Sequence, residues 1–207
     1  MNAFYERHIL PHLVDHACGV GAIRWLRRGL VPEAQGLVVE IGFGTGRNLA
    51  YYTPNRVERL IGIDPEPGVL AKARPRLEAT PLAVEIRPLS AERLPLESGT
   101  VDTVVCTFSL CTIADPHAAL DEMRRVLKPH GRLLFAEHGA SPDAHVRRWQ
   151  ERLNRPWRAL AGGCNLNRPI DRLLVDGGFA LDRLDTGYMR KTPRVVGHYF
   201  TGVARPR

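Results

Sequence analysis

With 207 residues, 44% hydrophobic and 25% charged, the chain has an ordinary globular composition, which excludes collagenous, low-complexity and disulfide-scaffold classes. That length suits a single domain, 1–207, with a sizeable core. A net charge of +7 invites an anionic partner, but the arginines are scattered rather than clustered, so no specific nucleic acid is expected.

Met1 to Leu10 carries charge but lacks the apolar core of a signal peptide, and no apolar run approaches the roughly 18 residues of a membrane span. A cytoplasmic location is expected, with Cys18, Cys106, Cys111 and Cys164 as reduced thiols, since they form no CxxC pair. Residues 1–30 read as a helical cap, with one or two helices over Phe4 to Arg28. Residues 36–138 alternate strands and helices. Apolar runs at Leu37-Ile41, Leu60-Ile63, Leu82-Ile86, Val101-Phe108 and Arg132-Glu137 predict strands, four of them continuous enough for a parallel sheet covered on both faces. The clearest helix takes Asp115 as N-cap and Pro116 in its first turn, puts Leu120, Met123, Val126 and Leu127 on one face, and stops at Lys128-Pro129-His130-Gly131. Residues 139–207 add a long helical region, a turn at Gly162-Gly163 and two strand-like segments. The order predicts an α/β, Rossmann-like, doubly wound sheet, whose ligand sits beyond the carboxyl ends of the strands.

The first strand runs into Glu40-Ile41-Gly42-Phe43-Gly44-Thr45-Gly46, with a helix expected from about Arg47. Glycine supplies positive φ and lets a ligand lie against the backbone. The spacing is GxGxG, and Arg47 stands where a dinucleotide fold wants a further glycine, which weakens a nicotinamide reading. Glu40 suits a ligand carrying an ammonium group, such as S-adenosylmethionine. Asp64 closes the second strand, 18 residues after Gly46, where a carboxylate can accept from two ribose hydroxyls, and Pro65 would shape the adenine edge.

Through VVEIGFGTG at Val38-Gly46, IGIDPEP at Ile61-Pro67 and RVLKPHGRLLFAEH at Arg125-His138, the chain resembles the class I S-adenosylmethionine-dependent methyltransferases with a type 11 domain. The resemblance implies a seven-stranded, mostly parallel sheet, S-adenosyl-L-methionine as cofactor with S-adenosyl-L-homocysteine as product, and adenine contacts at Ala91 and Glu92. Ser90 stands where many members carry aspartate. VDTVVCTFSLCTI at Val101-Ile113, FAEHG at Phe135-Gly139 and GGCNLNR at Gly162-Arg168 are similar, more narrowly, to the alkyl-thiol S-methyltransferases. This implies methyl transfer to a small, fairly apolar acceptor, foremost a thiol. Lipid head-group amines, quinone precursors and other small N/O acceptors remain alternatives, as does a non-catalytic module that binds adenosylmethionine. Nucleic-acid amino methyltransferases carry an Asn/Asp-Pro-Pro-aromatic motif after the fourth strand, where this chain has Cys106-Thr107-Phe108-Ser109-Leu110.

Methyl transfer is an in-line displacement, so the protein must align the acceptor and exclude water, and it needs no nucleophile of its own. His138, past the fifth strand, is the candidate to orient or deprotonate the acceptor. Phe108 is placed beside the cofactor, and Ser109, Cys111 and Cys164 in the substrate pocket, although both cysteines also read as small buried hydrophobes. His8, His12 and His16 recur every fourth residue, but Pro11 interrupts the run and no carboxylate or cysteine completes a site, so no metal is expected. Arg147, Arg148, Arg152, Arg155 and Arg158, interleaved with Trp149 and Trp157, read as a cap helix burying both tryptophans, with contact to an anionic surface as the other reading.

Overall fold

The computed structural model describes residue 5 and residues 10–207. Its strands are β1 (Gly36–Ile41), β2 (Val57–Ile63), β3 (Val84–Arg87), β4 (Val101–Thr107), β5 (Leu127–His138), β6 (Phe179–Tyr188) and β7 (His198–Pro206). They form one seven-stranded sheet in the order β3-β2-β1-β4-β5-β7-β6. Pairings from β3 to β5 are parallel, while β7 runs antiparallel between β5 and β6. The order reverses between β1 and β4, which opens a crevice above their carboxyl ends.

Successive residues of the central strands feed opposite cores, as the two-residue period of a strand requires. Val39, Val104, Cys106, Leu133 and Phe135 join one core; Val38, Val105, Leu134 and Ala136 join the other. After the short helices α3 (Pro67–Leu70) and α4 (Arg74–Ala79), helix α5 (Pro116–Val126) covers the first face with Ala119, Leu120, Met123 and Val126, and α7 (Ile170–Asp176) adds Ile170, Leu173 and Leu174. Burial of each of the larger side chains contributes about 1.5–3 kcal/mol. Asp115 Oδ1 accepts from His117 and Ala118 N–H at 3.1 Å, so the expected N-cap is in place. On the second face α2 (Gly21–Leu30) buries Ile23, Leu26 and Leu30, while α1 (Leu10–Cys18) reaches across the crevice mouth.

Several expectations are corrected. Leu127 opens β5 instead of closing α5: it pairs with Val101, and the register then jumps to Thr103 with Arg132. Lys128-Pro129-His130-Gly131 is therefore irregular strand, held where Lys128 Nζ meets Asp102 Oδ1 at 2.6 Å. After Gly46 only a 3-10 turn forms, over Arg47–Ala50, because Pro54 soon follows and cannot extend a helix. The third strand starts at Val84 rather than Leu82, and the fourth ends at Thr107, since Phe108 has φ 56°. In α6 (Ala144–Leu160) Trp149 is 45% exposed and Trp157 half-buried, so the expected burial of both fails. His8 lies outside the described residues, and His12 and His16 are exposed on α1. Among the described residues no helix is long and apolar enough to cross a membrane.

Candidate active site

The crevice holds a cleft of about 510 Å³, within the range of small-molecule sites. Its floor is the glycine loop. Gly42 sits at φ +69°, and a Cβ there would come within 1.8 Å of Ser109 Oγ, so any side chain would push the β1 and β4 loops apart. A Cβ on Gly44 would meet nothing closer than 3.7 Å, which leaves this stretch of backbone open to a ligand. Beneath the loop Glu40 is almost wholly buried. Its Oε1 accepts from Asn48 Nδ2 at 3.0 Å and its Oε2 from Tyr52 Oη at 2.7 Å. Burial raises its pKa to about 7, against the pull of Tyr52, Arg27 and Asn48.

Asp64, at the end of β2, ties the same loop from the other side. Its Oδ2 accepts from Gly44 N–H at 2.8 Å and its Oδ1 from Glu66 N–H at 3.0 Å, and each oxygen keeps lone pairs for a ligand hydroxyl. Burial raises its pKa, while the two backbone N–H groups hold it down. Pro65, Ala91 and Glu92 line the cleft beside it. Glu92 Oε2 accepts from Ser90 Oγ at 2.9 Å and its Oε1 from Asp115 N–H at 2.8 Å. Ser90 thus steers the carboxylate of Glu92.

The sequence reading missed several polar residues here. Arg27 is buried, lies 5.7 Å over the Phe108 ring and has an unpartnered Nε. Asn48 lines the cleft with its Oδ1 unpartnered and its amide spanning Glu40 and Thr107. Asp15 on α1 accepts from Thr45 Oγ1 at 2.6 Å and from Arg47 Nε and Nη2 at 2.9 and 2.8 Å, which pins α1 to the glycine loop. The local pattern held one signal for Asn48 and Tyr52, polar and phenolic groups just after a glycine loop, and none for α1.

The far wall rests on Glu137. Its buried carboxylate accepts from Ser109 and Leu110 N–H at 2.7 and 2.9 Å and from Cys111 N–H at 3.3 Å, which fixes the turn after β4. Burial raises its pKa to about 7. Phe108 starts that turn in the left-handed region, a strained conformation costing roughly 1–2 kcal/mol. Phe108 and Ser109 line the cleft, whereas His138, Cys111 and Cys164 do not. The expectation that His138 orients or deprotonates an acceptor finds no place in the wall. Its ring is buried, stacks on Phe108 at 6.5 Å, and has Nε2 3.0 Å from Cys164 Sγ. Gly46 shapes the loop without lining the cleft.

A family model described as a methyltransferase domain matches residues 39–135. The thiol S-methyltransferase TMT1B of Homo sapiens is 35% identical over 172 residues, 74% of this chain and 67% of that protein. The phosphatidylethanolamine N-methyltransferase of Cereibacter sphaeroides is 31% identical over 168 residues, 80% of this chain and 77% of that protein. The chain spans 54–67% of the length of the thiol methyltransferases it matches. A geranyl diphosphate methyltransferase solved with S-adenosylmethionine has the same fold, with a TM-score of 0.69 at 16% identity over 100% of this chain and 92% of that one.

The residues fit that cofactor. Carboxylates of Glu40, Asp64 and Glu92 face a cleft also reached by one buried guanidinium, Arg27, matching a ligand that carries an ammonium, a sulfonium, ribose hydroxyls and a single carboxylate. The glycine-loop floor, the acid at the end of β2, the strand order and the relatives agree: the chain belongs to the S-adenosylmethionine-dependent methyltransferases of class I fold.

Proposed function

We propose that the chain methylates a small, fairly apolar thiol. The observation that carries this is the apolar character of the cleft wall facing the glycine loop, with Leu10, Phe108, Ile113, Ala114, Ala161 and Gly162, together with the likeness to thiol S-methyltransferases. When bound, the cofactor supplies an electrophilic methyl group on a sulfonium.

The chain's own residues bind and orient. Asp64 accepts from the ribose hydroxyls, with Pro65 at the adenine edge and Ala91 and Glu92 along the base. Glu40 meets the ammonium beneath Gly42, Phe43 and Gly44, Gly46 turns the chain away, and Arg27 pairs with the carboxylate. Phe108 and α1 exclude water, which strengthens each of these charge interactions. Ser109 touches the acceptor side, while His138, Cys111 and Cys164 stand behind it. A thiol whose ordinary pKa is about 8.5 is already partly ionised near neutral pH, so alignment replaces a dedicated base.

The test is mass spectrometry of methylated products and S-adenosylhomocysteine, with matched small thiols, amines and phenols and with Asp64→Ala as the blank. Thiol methylation above the blank supports the reading. Turnover only with amines or phenols discards the thiol and keeps the methyltransferase, and cofactor binding without any turnover favours a binding module.

A further inference from the structure

Behind the apolar wall, three side chains with no part in the cleft converge. Cys111 follows β4, His138 ends β5 and Cys164 follows α6; all are buried, and their sulfur and imidazole nitrogen atoms lie within 4.8 Å of one another. His138 Nε2 is 3.0 Å from Cys164 Sγ. Thiolate and imidazole ligands bound at about 2.0–2.3 Å around a tetrahedral zinc stand about 3.3–3.8 Å apart. Shifts of no more than about 1 Å bring these atoms to that spacing. The geometry points to a metal site: Cys111, His138 and Cys164 bind one zinc ion through two thiolates and an imidazole nitrogen, with one coordination position left open.

The two cysteine loops are tied together before any ion enters. Asn165 N–H and Nδ2 both donate to Cys111 O, at 2.8 and 2.9 Å, and Nδ2 also donates to Gly163 O at 3.0 Å. Leu166 N–H donates to Asn154 Oδ1 at 2.8 Å, anchoring the Cys164 loop to α6, and Glu137 holds the Cys111 N–H. Such outer contacts are what keep ligands oriented in metal sites.

The donor chemistry agrees. The Arg168 guanidinium, which donates to Leu110 O, sits beside the triad. Two thiolates then match one divalent cation, and the soft sulfur and imidazole donors select zinc over magnesium or calcium. The group contains no fourth ligand among the described residues, and its chain neighbours Thr112 and Gly162 line the cleft, so the triad lies directly behind the acceptor wall. The site stands whichever acceptor the cleft takes.

The test reads metal rather than turnover. The 207-residue chain, purified without chelator, is analysed by elemental mass spectrometry, then stripped, reduced and titrated with cobalt(II). About one zinc per chain is expected, with thiolate-to-cobalt charge-transfer bands and the intense visible bands of a tetrahedral centre. Cys164→Ser and His138→Ala should lower zinc content at least tenfold, while Cys106→Ala, a buried cysteine outside the triad, keeps it. Folded, reduced wild-type chain that takes up neither ion overturns the site, as does undiminished zinc in both variants. If the variants fail to fold, the wild-type cobalt spectrum decides alone.

Discussion

The two walls of the cleft are built from opposite uses of polar groups. On the β1–β2 side polar groups of the cleft-lining residues keep unused bonding capacity: Arg27 Nε and Asn48 Oδ1 are buried without partners, and Asp64 retains acceptor capacity. On the β4–β5 side they are turned inward: Glu137 spends its carboxylate on the backbone N–H groups of Ser109, Leu110 and Cys111, and His138 faces Cys164. The first wall is shaped to receive a polar ligand. The second is a frame in which backbone N–H groups satisfy the Glu137 carboxylate and hold an apolar surface in place, with His138 Nδ1 left unpartnered behind it. This difference would let a charged cofactor and the apolar acceptor proposed above share one crevice.

The comparison breaks most visibly if the frame is not a frame. Replacing Glu137 by alanine strands the N–H groups of Ser109, Leu110 and Cys111, at about 1–3 kcal/mol for each group left unpaired. Relief from burying a carboxyl whose pKa is raised to about 7 offsets part of that loss, so a net destabilisation of about 3 kcal/mol is expected in urea unfolding. A change below about 1 kcal/mol would show that the turn holds itself. Asp64→Ala should act on the other wall, weakening cofactor binding by about 1.5–3 kcal/mol in calorimetry while leaving stability nearly unchanged. Unchanged affinity would remove Asp64 from the ribose contact.

How well each wall could be read from sequence follows from how local its interactions are. Glu40, Gly42, Gly44 and Asp64 belong to short motifs on adjacent strands, where spacing alone fixes direction. Strands β1, β2 and β4 were legible because apolar residues fill both faces, whereas Leu127 was misassigned because an apolar helical face runs without a break into the next strand. Phe108 looked like more strand because φ sign is invisible for a residue that is not glycine. Arg27 reaches the cleft, and Asp15 the glycine loop, from helices that sequence places only as a cap. The triad was illegible for a related reason: His138 and Cys164 are 26 residues apart on unrelated elements, a spacing that matches no ligand motif, and the sequence pointed to no metal.

The pH dependence sharpens the contrast further. Glu40 and Glu137 both have folded pKa values raised from the ordinary 4.5 to about 7. The stability they contribute is therefore fully present below the unfolded value of about 4.5 and is lost as pH rises through about 7. Cofactor affinity should run the other way. An ammonium favours ionised Glu40, so binding should tighten by up to about tenfold between about pH 6 and pH 8, with proton uptake or release measured by calorimetry in two buffers. Glu40→Gln should flatten that profile. Glu40 would lose its role at the ammonium if the profile of the variant matched that of the parent.

The smallest effect expected is at the roof. Asp15 joins α1 to Thr45 and Arg47 of the glycine loop, but its side chain is 27% exposed and that of Arg47 23%, so water and salt screen the pair. Asp15→Ala should therefore weaken cofactor binding by less than about 1 kcal/mol and leave global stability unchanged. Hydrogen exchange across Leu10–Cys18 should rise, because the roof loses its tie while the floor keeps Asp64 and Glu40. The affinity loss should shrink with added salt, as an ion pair near the surface requires. Unchanged exchange would mean that packing alone seats α1. A loss as large as that of Asp64→Ala would place Asp15 among the groups facing the ligand, and the receiving wall would then extend onto α1.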